Sequence, residues 1–279
     1  MIKYFYFSSI LCLHLLITYS YCQPRDSIGV TYIANCGFLV ELDSKKILID
    51  ALFKEGFNHY TVPDSSTLEK LILGKYPFND VYLVFITHKH ADHFDSEMLI
   101  NFMLRNPGAK LICPTQVIEL LSQHEIGYNK IKSNIINASP ELYRSELIKI
   151  DGVEINACRL MHGHVNNKDI QNIAYLVSYN GKSVFHTGDA DPHQVDKYSG
   201  VNISEENILV GLINDGFGSI KNAETTRQFI HAQYNVTMHL PEHISKIWLE
   251  PLKDQPDLFS NPFVFTESLQ EKTFYAVSD

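Results

Sequence analysis

The sequence predicts an α/β fold built as one domain, and three observations carry that expectation. Short runs rich in β-branched and aromatic residues recur along the 279 residues, each the length of a buried strand. Between them lie stretches whose apolar residues repeat at helical spacing and whose ends carry capping residues. Hydrophobic residues make up 45% of the chain, which is enough to fill a sizeable core.

Residues 1–22 read as a separate segment. Lys3 supplies a positive start, residues 4–18 are largely apolar, and Ser20-Tyr21-Cys22 precede Gln23, a pattern that resembles a secretory signal peptide. The apolar run is short for a spanning helix. Cleavage would leave residues 23–279 as a periplasmic or secreted domain without stable membrane insertion. A lipid anchor on Cys22 is the lesser alternative, because Tyr21 is bulky where that signal needs a small residue.

Four strand-like runs build the first half, at 29–33, Gly37–Leu42, 46–50 and 81–87. Asp95 then looks like an N-cap for a helix over Ser96–Arg105, with Met98, Leu99, Phe102 and Met103 on one face and Asn106-Pro107-Gly108 as its stop. A strand over Lys110–Cys113 and a helix over 115–123 follow. The second half begins with strands at 147–150 and Val153–Leu160 around the hairpin signal Asp151-Gly152. Asn180-Gly181 joins strands at 173–178 and 183–186 in the same way. A strand at 208–213, a helix at 223–233 and a strand at 235–240 complete the reading.

The stretch Thr87-His88-Lys89-His90-Ala91-Asp92-His93 holds the most chemistry. Three imidazoles and a carboxylate crowd the point where the apolar run 81–86 gives way to a loop. Neutral imidazole is the commonest transition-metal ligand, so this packing suits one or two ions that keep open positions for water and substrate. Polar groups clustered at a core edge need partners, and a metal supplies them.

This H-x-H-x-D-H spacing resembles the signature of the metallo-β-lactamase superfamily, and the resemblance extends from about Ser27 to His239. It rests on Gly37-Phe38-Leu39-Val40-Glu41 and Lys45-Lys46-Ile47-Leu48-Ile49-Asp50 upstream. Downstream it rests on Met161-His162-Gly163-His164, Val184-Phe185-His186-Thr187-Gly188-Asp189 and Val236-Thr237-Met238-His239. The resemblance is strongest to the β-lactamase-like second-type branch, which includes ascorbate-6-phosphate lactonase and the phospholipase D acting on N-acylphosphatidylethanolamine. It implies a four-layered αββα sandwich. It also implies that His88, His90 and His162 hold a first ion, that Asp92, His93 and His239 hold a second, and that Asp189 bridges the two.

His164 competes with His162 for the first site, and His162 is preferred because it comes straight off its strand. Asp50 is expected to accept an imidazole N–H behind the ligands. His186 and His193 are expected to form hydrogen bonds rather than bind metal, and His243 to lie at the surface. The implied activity is that of a hydrolase, with a metal-bound hydroxide as nucleophile and Asp92 orienting it as the catalytic carboxylate. The donor set suits Zn²⁺ best, two per chain, with Fe or Mn as alternatives.

A small ester, lactone, amide or phosphodiester is the expected substrate. An iron-dependent oxidoreductase and a metal-binding protein without turnover are the competing classes. Flavodiiron relatives carry Glu where this chain has His90, whereas iron persulfide dioxygenases share the H-x-H-x-D-H run. The formal net charge of −9 and the absence of a Lys/Arg run exclude nucleic acid as a favoured substrate. Phe53, Phe57, His59 and Tyr60 are candidates for an aromatic wall beside the pocket.

Outside the leader stand three widely spaced cysteines, Cys36, Cys113 and Cys158. They form no disulfide framework and no C-x-x-C motif. Cys36 and Cys158 read as small core hydrophobes in apolar strand-like runs.

Overall fold

The computed structural model describes residues 26–163, 167–201, 203, 206–241 and 259–277. Two seven-stranded sheets lie face to face. In the first, β1 (Ser27–Ala34), β2 (Gly37–Leu42) and β3 (Lys45–Ile49) form an antiparallel meander. It continues through β4 (Val81–Phe85), β5 (Lys110–Cys113) and β6 (Ile135–Asn137) as parallel neighbours.

The second sheet repeats the plan. An antiparallel run of β7 (Ser145–Ile150), β8 (Val153–Leu160), β9 (Asn172–Tyr179) and β10 (Lys182–His186) leads into three further strands. These are β11 (Ile208–Asn214), β12 (Ala232–Met238) and β13 (Pro262–Val264), each parallel to its neighbour. The last strand, β14 (Glu271–Tyr275), returns to the first sheet and pairs antiparallel with β1.

Side-chain alternation divides each sheet between two cores. Ile28, Val30, Phe38, Val40, Ile47, Leu83 and Phe85 face Val153, Ile155, Tyr175, Val184, Val210 and Val236 across the middle of the sandwich. The opposite face of the first sheet, through Leu39, Leu48, Val84 and Leu111, packs on the four helices α1 (Ser65–Ile72), α2 (Ser96–Arg105), α3 (Thr115–Ser122) and α4 (Glu125–Ile131). The outer face of the second, through Cys158, Leu160, Leu176 and Phe185, packs on a 3-10 segment over Pro192–Gly200 and on α5 (Ala223–Phe229). This is the four-layered αββα arrangement, and its inner strands are apolar on both faces because both faces are covered. All seven residues of β11 are buried.

The strand and helix expectations hold at most positions. Asp95 caps α2 by accepting from the Met98 N–H at 2.9 Å. Both hairpins carry the expected left-handed pair, with Asp151 and Gly152 at φ 44° and 84° and Asn180 and Gly181 at φ 49° and 77°. Several strand boundaries shift by two or three residues, and the largest difference is at the last helix. The helix expected over 223–233 ends at Phe229, and Ala232 pairs with Ile208. Propensity there yields to the backbone partners offered by a fully buried neighbouring strand.

The sequence expectations do not include α1, α4, β6, β13 and β14, although α1 carries a local start signal in Asp64, which accepts the Thr67 N–H. Among the described residues no helix is long and apolar enough to cross a membrane. The leader, Cys22, His164 and His243 lie outside the described residues.

Candidate metal centre

Strands β3, β4, β8, β10, β11 and β12 end on the same rim of the sandwich, and each delivers polar residues to it. A backbone hydrogen bond crosses between the sheets here, the Ile173 N–H donating to the Thr87 carbonyl at 2.9 Å. Around that crossing the seven residues expected to bind metal come together.

His88, His90 and His162 form one cluster. Their ring centroids lie 4.6 to 4.9 Å apart, and the ligand atoms of the three, with one oxygen of Asp189, all fall within 4.8 Å of one another. His88 Nε2 stands 3.0 Å from His90 Nδ1. Burial, then repulsion from His93, holds His88 neutral by lowering its pKa well below the usual value. Burial, with repulsion from His162, lowers that of His90 to about 4. Two neutral nitrogens facing each other at that distance suit a shared cation.

The second cluster is drawn from farther along the chain. His93 Nε2 is 3.3 Å from Asp189 Oδ1, and His239 Nε2 is 3.5 Å from Asp189 Oδ2 and 3.4 Å from Asp92 Oδ2. The tight four-atom group here consists of His93, Asp189, His239 and Cys36, again within 4.8 Å. Asp92 stands beside it, 3.8 Å from His93 Nε2, with its Oδ2 taking a bond from the Asn35 amide at 3.3 Å.

The electrostatics are opposite to those of the first cluster. Burial opposes charge on His93, but Asp189, Asp92 and Asp50 outweigh it and raise its pKa. His239 is likewise raised, to about 10, by Asp189, Asp215 and Asp92 against the effect of burial. Asp189 lies well below the usual carboxylate range, the nearby His239 and His93 overcoming its burial.

Asp50 organises both clusters from behind. Its Oδ1 accepts the Thr87 N–H at 2.8 Å, and its Oδ2 accepts the Thr87 hydroxyl at 2.6 Å and His93 Nδ1 at 2.8 Å. The Thr87 hydroxyl has one proton and gives it to Asp50, so in its 3.0 Å contact with His88 Nδ1 the ring is the donor. Both rings therefore turn Nε2 toward the interior of the site. Asp50 itself sits at φ 44° and His239 at φ 59°, left-handed turns that swing each side chain back from the end of its strand.

The Asp189 loop is equally well held. The Asn172 amide accepts the Asp189 N–H at 2.9 Å and donates to the Thr187 carbonyl, and the Asn214 amide donates to the carbonyls of Gly188 and Ala190. Gly188 has φ 53°, and a Cβ there would lie 2.4 Å from Asn172 Oδ1 and 2.9 Å from Thr87 Cβ. His186 accepts the Gly188 N–H on Nδ1, so its Nε2–H donates to the Cys36 carbonyl at 3.0 Å. This is the hydrogen-bonding role expected of it. His193 lines the cleft at the site mouth.

A metal fits these residues on the structure's own evidence. Buried His93 Nε2 and Asp189 Oδ1 make no hydrogen bond, although they point at the same space. Imidazole, carboxylate and sulfur donors converge there, and a cation satisfies all of them at once.

Sequence reasoning missed Asn35, Asn172, Asn214 and Asp215. Asn214 and Asp215 follow an apolar strand run just as His88 does, which was the available signal. It also placed Cys36 in an apolar strand, whereas that residue occupies the turn between β1 and β2 and its sulfur faces the second cluster. Of the proposed aromatic wall, Phe53 is fully buried and Phe57 is 54% exposed. Tyr60 does border the site, its ring 4.2 Å from that of His239. Burial, then Asp215 and Asp189, keeps its phenol protonated.

Comparison with known proteins matches residues 45–204 to a family described as "Beta-lactamase superfamily domain". A protein described as a metal-dependent hydrolase in Pyrococcus furiosus is 26% identical over 164 residues, 58% of this chain and 61% of that protein. The chain thus aligns with less than two thirds of that relative's length. The solved structure of Igni18, described as a novel metallo hydrolase from Ignicoccus hospitalis, superposes with a TM-score of 0.60 at 21% identity. That match covers 90% of this chain and all of the other. The metallo-beta-lactamase fold protein YhfI from Bacillus subtilis gives 0.57 at 17% identity, covering 89% of this chain and all of the other.

Proposed function

The chain belongs to the beta-lactamase superfamily, in its metallo-β-lactamase fold, and on that premise we propose that it is a metal-dependent hydrolase of small molecules working with two ions. The observation that carries this reading is that two four-atom donor groups share Asp189. His88, His90 and His162 would hold one ion, His93 and His239 the other, and Asp189 would serve both. Zn²⁺ is the favoured ion for such donors, and two bound ions supply Lewis acidity and bring the pKa of water from 15.7 to about 7.

The protein's own groups have definable tasks. Asp50 fixes the two imidazoles that it reaches directly and through Thr87. Asp92, steadied by Asn35, presents a carboxylate at the edge of the second cluster, where it would orient an attacking water. The cleft at the mouth has a volume of about 230 Å³ and is lined by Tyr60, Asp191, His193, Asn214 and Asp215 among others. A larger cavity of about 690 Å³ reaches His239 from the side of Tyr32, His59 and Phe265.

These volumes suit a small ester, lactone, amide or phosphodiester. Among the described residues lining the two cavities there is no Lys or Arg, while Asp189, Asp191 and Asp215 line the smaller one and Glu267 the larger. A nucleic-acid backbone is disfavoured on the same ground. Export rests on the leader-like residues 1–22, and N-terminal sequencing of secreted material tests it by the absence of Met1.

Elemental analysis of protein purified without added metal, joined to a panel of esters, lactones, amides and phosphodiesters, tests the main reading. Two ions per chain and chelator-sensitive turnover are expected. Asp189→Asn should retain some metal and Asp189→Ala less, with turnover lost in both. Full turnover in Asp189→Ala, or a metal-free protein indifferent to chelator, would refute it.

A further inference from the structure

The turn between β1 and β2 brings one donor more than the sequence motifs require. Cys36 is fully buried, and its sulfur lies within 4.8 Å of the ligand atoms of His93, Asp189 and His239. Its placement is built by the residues on either side. Asn35, at φ 45°, donates its amide to both the carbonyl and Oδ2 of Asp92. The Cys36 carbonyl is held by His186, whose other nitrogen is engaged by Gly188 in the Asp189 loop. Gly37 leaves no room for a side chain, since a Cβ there would lie 2.9 Å from the Asp50 carbonyl and 3.0 Å from that of Ala34.

The turn is therefore tied to the site before and at the cysteine, and close-packed after it. Two of the groups facing the sulfur, His93 Nε2 and Asp189 Oδ1, are buried without a hydrogen bond. Cys113 and Cys158 make the contrast. Cys113 packs among the apolar residues under α1 to α4, and Cys158 among those under α5, its thiol directed at the Asn156 carbonyl.

We propose that Cys36 is a sulfur ligand of the second ion, completing a set of one sulfur, two imidazoles and the shared carboxylate. Asp92 then stands beside that set, free to act on substrate water. On binding, the S–H bond breaks, a metal–sulfur bond forms, and the proton leaves to buffer. A sulfur donor biases the second site toward zinc and away from oxygen-preferring ions such as manganese. The inference rests on the two-ion reading of the same centre.

Cobalt(II) titration of the chelator-stripped protein separates the two. Two bound ions with a near-ultraviolet thiolate-to-cobalt charge-transfer band are expected in the wild type. Cys36→Ser should lose the band and keep the first ion, while Cys113→Ser keeps the band. X-ray absorption on the wild-type zinc protein decides the matter even if the variant does not fold, through a sulfur shell at ~2.3 Å. Two bound ions with neither band nor sulfur shell, or a band that survives in Cys36→Ser, would overturn the assignment and leave the two-ion reading standing. Fewer than two ions would overturn that reading itself.

Discussion

The two donor clusters differ in how much of the chain must be folded before each exists. His88 and His90 sit two residues apart in one loop, so the first cluster takes half its donors from that loop and adds His162 after β8 and Asp189 after β10. The second gathers Cys36 from the β1–β2 turn, His93 from the loop after β4, Asp189 from the end of β10 and His239 from the end of β12. The first cluster is thus half local, and the second is tertiary throughout. Their electrostatics follow the same division. Burial, and after it the crowding of imidazoles, holds His88 and His90 neutral, whereas carboxylates brought in from several strands outweigh burial and hold His93 and His239 toward the charged form.

Asp50 is the one residue that should erase the distinction, and replacing it should have the largest effect. Asp50→Ala removes the acceptor of three buried bonds and frees His93 and His88 together. A loss of about 3 kcal/mol or more in denaturant unfolding is expected. Metal affinity should fall roughly 10- to 100-fold at both sites. Weakening of only one site in a metal titration would show that the clusters are supported separately.

Histidine replacement sharpens the contrast. His162→Ala should lose the first ion and keep the second, and His239→Ala the reverse. His239→Ala also removes the ring that Tyr60 covers and a side chain held at a left-handed turn, so its damage should stay at the β12 end. Simultaneous loss of both ions in either variant, read by elemental analysis, would mean that Asp189 couples the clusters more tightly than their separate origins imply.

The smallest effect should come from a helix cap that makes no hydrogen bond to either cluster. Asp64 accepts the Thr67 N–H at 2.7 Å at the start of α1, and that bond holds its carboxyl below the usual value. Asp64→Ala should cost about 1 kcal/mol and leave metal content unchanged. A depressed folded pKa contributes stability above the unfolded pKa and loses it as pH falls through the folded one. The gap between wild type and Asp64→Ala should therefore close in acid. Thermal melts across that range check it, and any loss of metal in this variant would break the assumed independence of helix layer and centre.

The same local-versus-tertiary division explains what could be read beforehand. The H-x-H-x-D-H loop, the Asp95 cap and the two left-handed hairpin turns are local, and the sequence announces them through spacing and turn chemistry. The edge strands β13 and β14 are short and acquire their conformation from partners far along the chain. Cys36 was the instructive case. Set between the apolar pairs Ile33-Ala34 and Phe38-Leu39, it has the wider surroundings of a core cysteine, and only its direct neighbours Asn35 and Gly37 mark a turn. Only the packing of one sheet on the other turns its sulfur toward two histidines.

The pairing of β14 with β1 has a further consequence for how the chain can be rearranged. The Ala276 N–H donates to the Asp26 carbonyl at 2.7 Å, so the first and last described strands meet side by side and the path of the domain is nearly a closed ring. A short bridge across that gap would let the ring be opened elsewhere, for instance at the exposed Asn180-Gly181 turn on the far side from the metal rim. The rim residues would keep their neighbours in such a circular permutant while their order along the polypeptide changed. The donor set belongs to the closed architecture, and the linear reading H-x-H-x-D-H to His239 is one of several orders in which the same ring can be written.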